Sequence, residues 1–256
     1  MEVYVGCSGY YYTHWKGIFY PPTLPRSQWL NFYAQHFNTV EINNTFYKMP
    51  QEKTIRNWYD ISPEGFIFTL KGFRYITHLK RLAFDETLLD YILQFQRMAS
   101  VLKEKAGPVL WQFPGSFKVD TERLDKFCSQ LSYDFQHVFE FRDPSWFTQP
   151  VYDILAKYGH TICIVSAPGH IPEVVIATSE TAYARLHGKN SWYNDNYTDQ
   201  ELQLWKQRLE QLAVKKLFVY FNNDIGGYAV FNGQYLASLF GTEPFKRPDS
   251  RQMQLF

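Results

Sequence analysis

Residues 181–188 read Thr-Ala-Tyr-Ala-Arg-Leu-His-Gly. Side chains alternate faces along a strand, so Arg185 and His187 share one side while Ala184 and Leu186 take the other. The same pattern recurs outward from this stretch. In 39–47 Glu41 and Asn43 oppose Val40 and Ile42, and in 66–72 Thr69 and Lys71 oppose Phe68 and Leu70. In 137–142 Glu140 and Arg142 oppose Phe139 and Phe141, and in 216–224 Asn222 and Asp224 lie beyond Phe218 and Tyr220. Runs 2–8, 108–114 and 160–166 bring the number of short Val-, Ile-, Phe- and Tyr-rich segments to eight, a composition that favours strand.

Helical stripes separate these runs. Trp29, Phe32, Tyr33 and His36 step by three and four after the first, and Leu88, Ile92, Phe95, Ala99 and Leu102 after the third. Leu124, Phe127, Cys128 and Leu131 follow the fourth, each stripe marking one apolar helix face. Leu202, Trp205, Leu209 and Leu212 form another, introduced by Thr198-Asp199-Gln200-Glu201, a capping-box signature. Strand–helix alternation implies parallel strands joined by crossovers. The link after the sixth run, Ala167-Pro168-Gly169-His170-Ile171-Pro172, predicts an irregular crossover, with 173–176 a candidate extra strand. A doubly wound sheet usually carries a glycine-rich phosphate turn after its first strand. Here Gly6-Cys7-Ser8-Gly9 runs into Tyr10, Tyr11 and Tyr12 without that spacing. The expectation is therefore one (β/α)8 barrel over 1–240, irregular at its sixth crossover, with a polar tail over 241–256.

Bulk properties narrow the function classes. With 26 basic against 25 acidic side chains, the charge balance argues against a tail-driven nucleic-acid binder. Cys7, Cys128 and Cys163 lie far apart with no C-x-x-C pair, which fits reduced thiols better than a disulfide framework or a zinc finger. The start enters an apolar run at Val3 without a basic segment, and no apolar run reaches membrane length. These features predict a cytoplasmic protein without membrane contact.

In a barrel the apolar face of each strand meets the helices and the other points inward. Glu41, Lys71, Gln112, Glu140, Arg142, Arg185, His187, Asn222 and Asp224 are therefore expected to converge at the C-terminal mouth, where barrel enzymes keep their chemistry. Buried charges are costly unless paired or used, so the set reads either as ion pairs closing the barrel top or as a ligand site. Lys71, Arg142 and Arg185 suit phosphate or carboxylate oxygens. Glu41 and Glu140 are candidate general bases, His187 a candidate acid or base, and Asp224 a fourth candidate catalytic group. Asn43 and Asn222 are candidate substrate contacts. A divalent metal is conceivable from Glu41, Glu140, His187 and Asp224, but the interleaved cations and the absence of an H-E-x-x-H motif disfavour it.

Aromatic residues crowd the expected mouth loops: Tyr10, Tyr11, Tyr12, Trp15, Trp146, Trp192, Tyr193 and Tyr197. They are expected either to cover the barrel top or to stack on a sugar ring or base. His14 and His78 fall in the loops after the first and third strands.

In order along the chain, GCSGYYYTHWKGIFYPP, VEINNTFYKMP, ITHLKRL, LWQFP, EFRDPSW, YARLHG and VYFNND resemble the motifs of the YecE-like family, a TIM-barrel domain of unknown function. The likeness runs from about Val3 to Leu239. It implies site roles for Glu41, Asn43, Lys71, His78, Arg81, Gln112, Glu140, Arg142, Trp146, Arg185, His187, Gly188, Asn222, Asn223 and Asp224. Two departures stand out: Tyr10 where the family often has Trp, and Ser166 where it commonly has Asp.

Gln252-Met253-Gln254-Leu255-Phe256 resembles the short Gln-Leu-x-Leu-Phe peptide by which bacterial proteins bind the replication sliding clamp. Met253, Leu255 and Phe256 would be its apolar anchors and Gln252 its polar lead. The sequence thus supports an enzyme taking a phosphate-bearing substrate, hydrolase- or isomerase-like, with a nucleotide or nucleic acid favoured if the tail binds the clamp. A metabolic enzyme on a small anionic or sugar substrate, or a non-catalytic ligand-binding barrel, are the alternatives.

Overall fold

Eight runs with an apolar outer face and a mixed inner one have a single way to satisfy both faces without leaving a sheet edge: closure. A computed structural model of the chain describes residues 1–242. In it β1 (Glu2–Ser8), β2 (Thr39–Ile42), β3 (Ile67–Lys71), β4 (Ala106–Gln112), β5 (His137–Glu140), β6 (Thr161–Ser166), β7 (Thr181–Leu186) and β8 (Lys216–Phe221) pair in chain order, all parallel, as a closed barrel. β8 returns to β1 with Tyr4 opposite Phe218 and Gly6 opposite Tyr220.

Strand parity sorts the core into two compartments. Leu110, Val138, Cys163, Val165, Tyr183, Phe218 and Tyr220 fill the barrel interior. Val40, Phe68, Trp111, Phe139, Ile164, Leu186 and Phe221 face the helices. Above the apolar interior, Tyr220 OH meets Thr39 Oγ1 at 2.6 Å and Thr69 Oγ1 at 2.8 Å. The interior therefore becomes polar toward the C-terminal mouth before any ionised group is reached.

The crossovers are α1 (Trp29–Ala34), α2 (Asn44–Tyr47) with α3 (Glu52–Ile61), α4 (Glu86–Ala99), α5 (Thr121–Cys128), α6 (Gln149–Lys157) and α7 (Asp199–Glu210), and α8 (Tyr228–Leu239) follows β8. Asp85 and Asp120 cap α4 and α5 by accepting from Leu88 N and Arg123 N. The Thr198–Glu201 capping box forms at α7.

Three expectations on element bounds are corrected. β2 stops at Ile42 and β8 at Phe221. The segment read as the end of the second strand turns into α2, because Thr45 Oγ1 donates to Ile42 O and to Lys71 O, bending the chain over the top of β3. Residues 173–176 form no strand. Among the described residues the β6–β7 crossover has no helix, and side chains do its anchoring: Thr178 Oγ1 accepts from Ile162 N and donates to His160 O.

Candidate functional site

The sequence leaves two carboxylates, Glu41 and Glu140, on inward positions at the tops of β2 and β5. Both are fully buried. Two ionised acids in that position need compensation, and Arg185, at the top of β7, supplies it. Its Nη2 donates to Glu41 Oε1 at 2.8 Å and its Nη1 to Glu140 Oε2. Arg142 Nε donates to Glu140 Oε1 at 2.9 Å.

Every oxygen of the two carboxylates accepts at least one bond. Glu41 receives the hydroxyls of Ser8 and Tyr183, and Gln112 Nε2 donates to Glu140 Oε1 at 2.9 Å. Burial opposes ionisation of Glu140, but Arg185, then Arg142, hold its carboxyl well below the usual carboxylate range. Ser8 is the hub: its Oγ also accepts from Asn43 Nδ2 at 2.8 Å and from Arg185 Nη2 at 3.1 Å. Two carboxylates thus meet two guanidinium groups, and the ion-pair network closes on itself.

Lys71 is left out of that closure. Nine-tenths buried at the end of β3, its Nζ has no ion-pair or hydrogen-bond partner among the described residues, and lies 4.3 Å from the centre of the Phe46 ring. Burial, reinforced by the positive charge of Arg185, lowers its ammonium to about 7.

His187 is fully buried beside the network. Its Nδ1 lies 2.9 Å from the Asn222 side-chain amide, and its Nε2 lies 4.0 Å from Glu140 Oε1 and 3.3 Å from Arg185 Nη1, a donor that only an unprotonated ring nitrogen accepts. Burial and then Arg185 drive its pKa well down, so the ring is neutral.

Above this floor opens a cavity of about 720 Å³, within the rough 300–1,000 Å³ range of small-molecule sites. Its two halves differ in chemistry. The β3–β5 side carries Lys71, Arg74, His78, Gln112 and Arg142. The β8–β2 side carries Asn222, Asp224, Tyr12 and Asn43. Burial raises the Asp224 carboxyl above its usual range, and His14 Nε2 lies 3.5 Å from its Oδ2. His78 stacks edge-on against Phe46 at 4.8 Å. Burial, and next the Lys71 charge, lower His78 to about 4.

The structure thus brings Asn43, Lys71, His78, Gln112, Arg142, Arg185, Asn222 and Asp224 to the cavity wall, with Glu41, Glu140 and His187 directly behind it. Trp146 is a correction. Expected as a ligand contact, it is fully buried in the wall, stacked 4.5 Å from Phe141 with its Nε1 donating to Phe117 O. The 3₁₀ turn Pro144–Trp146 places its ring in the helix-facing core beside Phe113, Phe117 and Phe141. Trp15 and Tyr197 are buried as well, and Tyr197 OH donates to Ser166 Oγ at 2.9 Å. Of the residues implied by family likeness, Asn223 faces Asp195 O and Asn232, and Arg81 faces Ser116; neither lines the cavity. Gln252, Met253, Leu255 and Phe256 lie outside the described residues.

Sequence reasoning missed Ser8, Tyr183, Arg74, Phe46 and the wall position of Tyr193. Ser8 and Tyr183 were available from strand parity alone, since Tyr4, Gly6 and Ser8 share the inner face of β1 and Tyr183 that of β7. Tyr193 carries a φ of 63°, a conformation rare outside glycine and held by hydrogen bonds. Its N–H donates to His187 O at 2.8 Å and its carbonyl accepts from Ile225 N at 3.1 Å. Trp192 beside it lies 5.1 Å from the Arg142 guanidinium.

A parallel barrel with its charged groups gathered at the C-terminal mouth is a (β/α)8 protein of the kind that hosts enzymes. The sequence matches the family described as "Protein of unknown function DUF72" over residues 4–254, and the chain belongs to that family. The UPF0759 protein YunF of Bacillus subtilis is 29% identical across 99% of this chain and 100% of its own length. UPF0759 protein YecE of Escherichia coli is 29% identical over 47% of this chain and 43% of its own. A DUF72 family protein from Thermotoga maritima superposes with a TM-score of 0.84 at 31% identity, covering 94% of this chain and 100% of that one. No helix among the described residues is long and apolar enough to cross a membrane.

Proposed function

We propose that the chain is an enzyme whose barrel mouth binds a small phosphate-bearing substrate. The observation that carries this reading is the set of cationic donors left open on the β3–β5 side. Arg142 commits only Nε to Glu140, which leaves its terminal nitrogens for a ligand, and Arg74 lines the same cavity. Planar guanidinium groups hold phosphate oxygens through paired donors.

Glu41 and Glu140 serve here as positioning residues, since every one of their oxygens already accepts from Arg185 or its neighbours. Asp224, whose carboxyl burial raises above its usual range, faces the same cavity as the anion site and is the group placed to give a proton. Divalent metal is not invoked: among the described residues no three His, Cys, Asp or Glu side chains are disposed around one point.

Calorimetric titration with pyrophosphate and with simple phosphate monoesters tests the reading. Binding is expected, weakened at least about tenfold by Arg142→Met, the scale of one charge-assisted contact. Absence of binding by every phosphate tried would remove it. If binding persists while no substrate turns over, the barrel is a ligand carrier.

The sliding-clamp reading of 252–256 rests on its sequence resemblance alone. A synthetic peptide of residues 250–256 titrated against purified clamp decides it, and only a positive result favours a nucleotide or nucleic-acid substrate.

A further inference from the structure

We propose that Lys71 is a nucleophilic amine that forms an imine with a carbonyl group of the substrate. This rests on the anion-binding reading for the placement of that carbonyl, though not for the reactivity of the amine.

A lysine nucleophile must be unprotonated, reachable and free of a carboxylate that would keep it charged. Lys71 satisfies all three. The two carboxylates within electrostatic reach, Glu41 and Glu140, are ion-paired to Arg185 and Arg142 and make no direct bond to Nζ, so their pull on an ammonium is outweighed by burial and Arg185. The groups around Nζ are the Phe46 ring, which accepts no conventional hydrogen bond, the cations Arg185 and Arg142, and the carboxylates Glu140 and Glu41. Desolvation beside like charge is the setting in which a lysine sheds its proton near neutrality, and here it brings the amine to about 7. The amine also opens onto the cavity.

His78 shares the Phe46 wall and is neutral at pH 7, and Asp224 faces the same space. In the step, the Nζ lone pair adds to the carbonyl carbon and the C=O π pair moves to oxygen. Oxygen takes up one proton as nitrogen releases one, giving a carbinolamine. A second proton shift lets water leave as the C=N bond forms. No oxidant or reductant is required, and water is the only by-product.

The probe is pyridoxal 5′-phosphate, an aldehyde bearing a phosphate, with pyridoxal as its phosphate-free control. Each is incubated with the full chain, trapped with sodium borohydride, which delivers hydride to the imine carbon, and mapped by peptide mass spectrometry. At pH 7.5 Lys71 is expected to be labelled at least about tenfold faster than exposed lysines such as Lys53, because an ordinary lysine amine titrates near 10.4. The labelling rate should climb with pH to a plateau just above 7.

Lys71→Arg loses the nucleophile and puts a permanent charge at the cavity wall; it should abolish the fast label while retaining phosphate binding. Lys71→Met, which needs no buried charge, should also lose it and keep the fold. Phosphate binding with labelling spread evenly over surface lysines would overturn the imine inference and leave the anion reading intact. Equal fast labelling of Lys71 by pyridoxal and by its phosphate would sustain the amine and count against the anion site.

Discussion

Arg185 Nη2 donates to Glu41 Oε1 across 2.8 Å, joining β7 to β2 through the barrel rather than along its wall. The same guanidinium reaches Glu140 on β5, so one side chain ties three non-adjacent strands. Removing a member of such a buried set leaves a charge without a partner, which costs more than the pair contributes.

Arg185→Met is therefore expected to lower unfolding free energy by about 3–5 kcal/mol, the range for breaking a buried ion pair. Urea titration at pH 7 measures it. Combining it with Glu41→Gln and Glu140→Gln should recover part of the loss, since no uncompensated carboxylate then remains. Additive losses in that triple variant would contradict the network.

Acid should weaken the fold above the pH at which ordinary carboxylates titrate. His137 is lowered to about 3 and His160 to about 4, both chiefly by burial. The unfolded chain takes protons on these groups near 6.5, while the folded chain refuses them. Their contribution is whole above 6.5 and is lost as pH falls toward 4, by up to about 1.4 kcal/mol per pH unit for a fully buried histidine. Half-exposed His78 adds less. Urea midpoints at pH 7, 6 and 5 measure the slope, and His160→Phe should flatten it.

Lys71 extends that slope to alkaline pH. Its folded value of about 7 lies below its ordinary 10.5, so between these limits the unfolded chain holds the extra proton and stability rises with pH. Denaturation of Lys71→Met between pH 7 and 10 should show a shallower rise than the parent.

Trp146→Phe separates wall from site. It removes the bond to Phe117 O and leaves a buried carbonyl unpaired, a loss of about 1–3 kcal/mol, yet phosphate affinity should stay unchanged. Trp192→Ala, beside Arg142, should leave stability nearly intact and weaken binding severalfold. The reverse outcome would put the ligand on the other side of β5.

Gly188→Ala should disturb the site from behind. Gly188 has a φ of 107°, and a Cβ there would sit 2.3 Å from Ser191 O. The turn carrying Trp192 and Tyr193 would have to shift, with a stability loss of about 2 kcal/mol or more from strain of this kind.

How much of this was legible follows from what a strand can and cannot encode. Period-two alternation places Glu41, Lys71, Gln112, Glu140 and Arg185 on inner faces, because pleating leaves them no other choice. It says nothing of loop side chains, and so nothing in the spacing shows that the ring of Trp146, one turn past β5, packs outward. Asn43-Asn44-Thr45-Phe46 extends the strand pattern of β2 because Thr and Phe are strand-like; the bend comes from Thr45 bonding Lys71 O, a partner 26 residues away. The isolation of Lys71 was invisible for a related reason. It follows from matching acids to guanidinium groups in three dimensions, and no spacing in the chain records that.

The β6–β7 crossover, residues 167–180, covers its part of the barrel without a helical ladder, fastened to β6 by Thr178 and Ser179. Amides in a helix are released together, whereas these clasps open one at a time. Deuterium should enter the barrel by this panel first, baring the back of β6 while the opposite staves stay closed. Proteases would find the same door, and a chain nicked there would still be held shut by the bonds that Arg185 makes across the mouth.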